Sequence, residues 1–235
     1  MKKKNIVVLT GAGISAESGI PTFRDANGLW EGHDVMAVAS IAGWMKNPAL
    51  VQEFYNLRRK AALAAEPNAA HLALQQLESV YQVTVITQNV DLLHERAGST
   101  KIIHLHGRLD QAKSSIDDGL IYPIVGTEIK MGDRCEKGSQ LRPNIVWFGE
   151  AVPEIERAMA HVSEADILII IGTSLQVYPA AGLREFAPDH CRSFLIDKHI
   201  PDRTNLGRIV CFEQAATVAV PDLVKELLQE ELTKN

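Results

Sequence analysis

No long hydrophobic run appears in this 235-residue sequence. The stretch Ile167–Ile171 is far shorter than the roughly 20 apolar residues that span a bilayer, so no membrane partner is expected. Met1-Lys2-Lys3-Lys4 followed by Ile6-Val7-Val8-Leu9 opens like a secretory leader. That apolar stretch is too short for a leader core, and a glycine turn follows it directly. Cysteine is scarce: Cys135, Cys191 and Cys211 are odd in number and widely spaced. They exclude a disulfide scaffold and fit a reducing cytoplasm, the compartment expected here. Excess positive charge is also missing, since 24 Lys+Arg against 29 Asp+Glu leave a net charge of -5. A general nucleic-acid binder is therefore not expected. Repeats and low-complexity tracts are absent. What is plentiful is apolar residues, at 46%, enough for one large domain or two lobes.

Apolar, β-rich runs recur at Asn5–Thr10, Val83–Thr87, Ile102–Leu105, Asn144–Phe148, Ile167–Ile171, Ser193–Ile196 and Arg208–Phe212. Several are continuous rather than alternating, as in strands buried on both faces of a parallel sheet. Helical patterns lie between them at His71–Val80, Glu154–Val162 and Pro221–Leu232, the last with proline in its first turn. The alternation predicts an α/β fold, a doubly wound Rossmann-type parallel sheet. Two stretches break the rhythm. Residues 26–67 read as helices and loops, with Leu50–Lys60 the clearest helix, and residues 108–141 are polar with a weak strand at Leu120–Val125. Together they form a second, smaller inserted lobe, leaving approximately 1–25, 68–107 and 142–235 to the larger one.

Five strings carry chemistry. The first, Leu9 to Arg24, holds Gly11-Ala12-Gly13-Ile14-Ser15-Ala16, which fits G-x-G-x-x-G/A. In that fingerprint the first glycine turns the chain, the second lets a pyrophosphate approach, and a helix N-terminus faces the phosphates. The continuation, Glu17 through Gly19-Ile20-Pro21-Thr22-Phe23-Arg24, has no packing rationale. The second is Thr87-Gln88-Asn89-Val90-Asp91, at a strand's carboxyl end, where open α/β sheets bind ligands. Asn89 and Asp91 suit either a helix N-cap or hydrogen bonds to a ribose and a carboxamide. The third, His104-Leu105-His106-Gly107, ends a strand in a candidate general base; alternation puts both histidines on one face, as a base, a metal pair or structural residues. The fourth, Val146-Trp147-Phe148-Gly149-Glu150, reads as a core strand with a turn or as an exposed edge that pairs with an extended peptide. The fifth, Gly172-Thr173-Ser174, puts hydroxyls and amides at another strand end, suited to phosphate or ribose.

These strings, in this order, resemble the sirtuins from Leu9 to about Ala181. The resemblance implies an NAD-dependent protein-lysine deacylase that transfers the acyl group to ADP-ribose and releases nicotinamide, with acyl-lysine proteins as partners. It implies His106 and Asn89 as catalytic residues, His106 accepting a proton from the ribose hydroxyls. Cofactor contacts are implied at Gly11, Ala12, Gly13, Ile14 and Glu17; at Phe23, Arg24 and Trp30; at Gln88, Asn89 and Asp91; at Gly172, Thr173 and Ser174; and at Asp197 and Ala216. The Val146–Glu150 string is implied as the substrate wall. Tyr55-x-x-Arg58 is similar to the branch that removes succinyl and malonyl groups. At i and i+3 the two share a helix face, and Arg58 can fork two donors onto an acyl carboxylate. An amphipathic helix with a solvated arginine is the plainer alternative. The sequence departs from the family in having Asp197 where an Asn is usual near the adenosine ribose. It also has only Cys135 where two cysteine pairs usually hold zinc. One thiolate cannot close a tetrahedral site, so no metal is expected. A glycohydrolase, an ADP-ribosyltransferase or a non-catalytic NAD or ADP-ribose binding module are the other readings of the same strings.

Overall fold

A computed structural model describes residues 3–22, 29–30, 32–200 and 206–233. Its larger lobe is a six-stranded, all-parallel sheet in the order β11-β10-β9-β1-β4-β5. The strands are β1 (Asn5–Thr10), β4 (Gln82–Thr87), β5 (Ile102–His104), β9 (Ile167–Ile171), β10 (Arg192–Ile196) and β11 (Val210–Phe212). Successive side chains on a strand point to opposite faces, and both faces are covered. Ile6 and Val8 pack toward helices α4 (Ala69–Gln76) and α7 (Ala216–Leu232). Val7 and Leu9 pack toward α6 (Ile155–Val162) and the 3₁₀ helix Ala180–Phe186. This double burial is why the strands read as unbroken apolar runs. α4 starts where Asn68 accepts from Ala70 N and His71 reciprocates on the Asn68 N–H, a capping box.

The smaller lobe joins a three-stranded antiparallel sheet, ordered β7-β6-β8, to helices from the preceding part of the chain. The strands are β6 (Gly107–Ser114), β7 (Ile121–Pro123) and β8 (Leu141–Ile145); α1 (Val35–Val38), α2 (Ile41–Lys46) and α3 (Pro48–Ala64) are the helices. A short hairpin, β2 (Leu29–Trp30) with β3 (His33–Asp34), precedes them. Val51, Phe54 and Tyr55 of α3, Leu109, Ile145 and Trp147 form one apolar cluster.

Four local expectations change. The helix expected after the glycine turn is replaced by two single 3₁₀ turns, Ala12–Ile14 and Ala16–Ser18. Pro221 lies inside α7, not in its first turn, because the helix starts earlier, at Ala216. The strand expected at Asn144–Phe148 ends at Ile145 and hydrogen-bonds with β6, so the lobe boundary drawn at 142 falls inside a small-lobe strand. β6 itself lies hidden in a polar stretch; its buried residues Leu109, Ala112, Lys113 and Ser114 are half polar and do not alternate.

Candidate active site

The carboxyl ends of β1, β4, β5, β9 and β10 open into one cleft of about 730 Å³ that also reaches the small lobe. That volume suits a ligand site, which typically spans about 300–1,000 Å³. After β1, Gly11, Ala12 and Gly13 line it; after β9, Gly172, Thr173 and Ser174 do. The two loops cross at their glycines. A Cβ on Gly13 would stand 2.6 Å from Gly172 Cα, and one on Gly11 would stand 2.7 Å from the Gly172 oxygen. Gly172 has φ +62°, where a side chain is strained as well. The glycines are therefore required by the crossing of backbones, a different reason from the pyrophosphate approach expected from the fingerprint.

After β4, Gln88, Asn89 and Asp91 face the cleft. Asn89 Nδ2 donates to the Gly11 carbonyl (3.1 Å) and Ser15 Oγ (3.1 Å), while Ser15 Oγ donates to Asp91 Oδ2 (3.0 Å). Asp91 also accepts from Leu93 N (3.0 Å), the first residue of α5 (Leu93–Arg96), so it holds that turn while lining the cleft. Burial raises the Asp91 carboxyl above its ordinary pKa, and those two donors oppose the shift. The sequence assigns Ser15 no role of its own; a hydroxyl directly after the glycine turn is the signal that could have found it. Beneath them, Thr10 Oγ1 donates to Thr87 Oγ1 (2.8 Å) and meets His94 Nε2 (3.1 Å), and Thr87 Oγ1 receives Asn89 N (3.0 Å).

His106 lines the cleft, and its Nδ1 lies 3.0 Å from the Gln88 carbonyl. A carbonyl can only accept, so Nδ1 carries the proton and Nε2 keeps its lone pair. Burial lowers the His106 pKa, against the raising effect of the Gln88 bond, so the ring is a neutral base at neutral pH. His104 does not share this face. β5 ends there, a turn intervenes, and the His104 ring bridges the Asn89 carbonyl (3.2 Å) and Glu95 (2.7 Å).

From the small lobe, Trp30, Tyr55 and Arg58 enter the same cleft. The Arg58 guanidinium lies 4.0 Å from the Trp30 ring centre and 5.7 Å from that of Phe54. It is a buried cation against aromatic faces, not a solvated helix residue. Tyr55 Oη accepts from Trp147 Nε1 (3.0 Å), which leaves its own O–H to donate, and burial raises its pKa strongly. Val146 to Glu150 form one wall. Its N–H groups are largely taken: Val146 donates to His106 O, Phe148 to Ala39 O, and Trp147 to the Glu150 carboxylate. The N–H groups of Val146, Trp147 and Phe148 are thus engaged within the protein.

Asp197 and Ala216 line the far end. Two implied cofactor residues stand elsewhere. Ile14 is fully buried in the core. Glu17 is not among the residues lining the cleft; its carboxylate accepts from Thr217 Oγ1 (2.6 Å) and sits 3.5 Å from Lys198 Nζ. Phe23 and Arg24 lie outside the described residues. Among the described residues no group of three or more His, Cys, Asp or Glu side chains is placed to hold a metal, and no helix is long and apolar enough to cross a membrane. Cys135, Cys191 and Cys211 are free thiols.

Residues 11–179, most of this arrangement, match the Sir2 family model. The chain belongs to the Sir2 family. It is 52% identical over 226 residues to an NAD-dependent protein deacylase of Helicobacter pylori, covering 96% of this chain and 98% of that protein. It is 53% identical over 230 residues to one of Bacteroides thetaiotaomicron, with 96% and 98% covered. Among solved structures, this Sir2-family chain is similar to a Sir2 homologue–NAD complex (TM-score 0.87, 38% identity, 97% of this chain and 90% of that one). It is also similar to a Sir2 bound to an acetylated peptide (TM-score 0.77, 28% identity, 96% and 92%).

Proposed function

We propose that this chain is an NAD-dependent protein-lysine deacylase that favours acyl groups ending in a carboxylate, succinyl and malonyl, and also accepts acetyl. The observation that carries the acyl preference is that Tyr55 and Arg58 stand in the same cleft as His106 and Asn89. The two lobes then act as one catalytic unit, the larger holding the dinucleotide and the smaller reading the acyl group.

The residues present suit NAD. Ser15, Thr173 and Ser174 offer hydroxyls, Gln88 and Asn89 amides, and Asp91 and Asp197 carboxylates, all at strand carboxyl ends. When bound, NAD supplies the ribose carbon that accepts the acyl oxygen, with nicotinamide as leaving group. Asn89, tied to Gly11 and Ser15, holds its end of the site in place. His106 Nε2 takes a proton from a ribose hydroxyl, its tautomer fixed by Gln88. Arg58 pairs with the acyl carboxylate and Tyr55 adds a donor; both are shielded by Trp30 and Phe54, where a charged hydrogen bond counts for more than in water.

The test is nicotinamide release with and without acyl-lysine peptide. Release that requires the peptide, faster with succinyl than with acetyl, is the expected result. Release without peptide makes the chain a glycohydrolase, and no release makes it a binding module.

A further inference from the structure

A second buried arginine stands behind the small-lobe wall of the cleft. Arg142, on β8, is 3% exposed and is not among the residues lining the cleft. A buried guanidinium is costly unless it is paired. Arg142 Nη2 faces both oxygens of Glu150 (2.6 and 2.9 Å) and also donates to the Ile145 carbonyl (3.3 Å). Its guanidinium carbon lies 3.9 Å from the Trp147 ring centre. Lys113 is opposite on β6, but its ammonium donates to Asp118 (2.7 Å) and does not compete for Glu150.

The same Glu150 carboxylate accepts from Trp147 N (2.8 Å), and Glu150 N donates to Trp147 O (3.0 Å). Trp147 is thus held at its backbone by Glu150. Its ring is held by Arg142 and by Trp44, whose ring centre is 5.5 Å away. An indole N–H can only donate. This one is spent on Tyr55 Oη (3.0 Å), so that oxygen accepts there and its own proton is left for another acceptor. Among the described residues Tyr55 donates to no other group, and it lines the cleft.

We infer that Arg142 is a positioning residue for the acyl-reading end. Through Glu150 and Trp147 it fixes the indole N–H on Tyr55 Oη, and so commits the Tyr55 hydroxyl proton to a carboxylate in the cleft. A tyrosine without that partner can turn its proton away and accept instead. Held as it is, Tyr55 can only donate into the cleft. That serves an acyl carboxylate and does nothing for the methyl group of acetyl.

This rests on the acyl preference proposed above. The test measures succinyl-lysine and acetyl-lysine peptides side by side, by titration without NAD and by kcat/KM with it. Arg142→Gln should lower the succinyl-to-acetyl ratio about three- to tenfold, the worth of one neutral donor. The change should fall mainly on succinyl affinity and KM. In Arg142→Gln/Tyr55→Phe the ratio should be no lower than in Tyr55→Phe alone, because both changes remove the same donor. If Arg142→Gln does not fold, Arg142→Lys takes its place; it keeps a charge at Glu150 but not the planar group against the indole. An unchanged ratio in the folded variant overturns the inference. So does an equal loss on both peptides, or a further fall of the ratio in the double variant, since either makes Arg142 a structural residue only. A ratio lowered by Arg58→Met but not by Arg142→Gln sinks this inference alone. No succinyl preference in the wild type sinks the acyl reading and this inference with it.

Discussion

From Ile6 to Leu9 every side chain of β1 is buried in an apolar layer, whereas the buried side of α3 includes Gln52, Arg58 and Arg59. The larger lobe is held by apolar area on two faces of a sheet. The smaller lobe adds, to its own apolar cluster, side chains that take the place of backbone partners. Asn56 both donates to Ile129 O (3.0 Å) and accepts from Ile129 N (3.0 Å), as a neighbouring strand would. Arg59 donates to Leu109 O, Asn56 Oδ1 and Thr127 O, and Gln52 donates to Leu141 O. Gln52, Asn56 and Arg59 follow helical spacing, so α3 carries this polar stripe beside the Tyr55 and Arg58 positions. A cluster of Ser114, Ser139 and Cys135, with Ser114–Ser139 at 2.8 Å and Ser139–Cys135 at 3.2 Å, closes the far side. The difference teaches that the smaller lobe is fastened through the same helix that carries Tyr55 and Arg58, the residues proposed to read the acyl group.

Predictions can break that contrast. The largest effect belongs to the larger lobe's chemistry. His106→Ala should lower kcat by about two to four orders of magnitude on every acyl substrate alike, with NAD binding retained by titration. Next is its packing: Leu168→Ala should cost about 2–5 kcal/mol in denaturant unfolding and expose the whole sheet to hydrogen exchange. Asn56→Ala should cost less, about 1–3 kcal/mol, and raise exchange mainly in residues 107–145. If it raises exchange equally in β1 and β9, the lobes are not separately fastened.

A smaller effect is pH-dependent. Burial lowers His71 to about 4 and His94 well below its ordinary value, so both are neutral when folded. The unfolded chain takes up their protons below about pH 6.5. Stability is thus full above that pH and is lost as pH falls toward 4, by up to about 1.4 kcal/mol per pH unit per histidine. Tm should fall between pH 7 and pH 5, and His71→Gln should flatten the slope. The smallest effect is that of a chelator: Tm in EDTA should be unchanged, and a fall would mean that a metal holds the small lobe.

The contrast also explains what the sequence revealed. β1 and β9 are legible to the residue because double burial leaves a continuous apolar run. Gly11 to Gly13, Gln88, Asn89, Asp91, His106, Gly172 to Ser174 and Asp197 meet in one cleft because each follows a strand of that sheet. β6 and the α3 staples were not legible, since a bond such as Asn56 to Ile129 joins positions far apart and leaves no local pattern. Glu17 is expected at the cofactor only because it lies in the fingerprint's continuation; the fold shows that it reaches Thr217 and Lys198. Pro221 misplaced a helix start because proline favours first turns, while α7 had already begun at Ala216.

The measurement closest to the central claim is the ratio of kcat/KM on succinyl-lysine to that on acetyl-lysine peptide, in wild type and in Arg58→Met. Arg58 faces the cleft beside Tyr55, and a charged hydrogen bond there contributes on the order of 1.5–3 kcal/mol. The ratio should fall by roughly one to two decades in the variant, with acetyl turnover little changed. Tyr55→Phe should act in the same direction but less. An unchanged ratio in folded Arg58→Met would contradict the account and leave a Sir2-family enzyme with no acidic acyl preference.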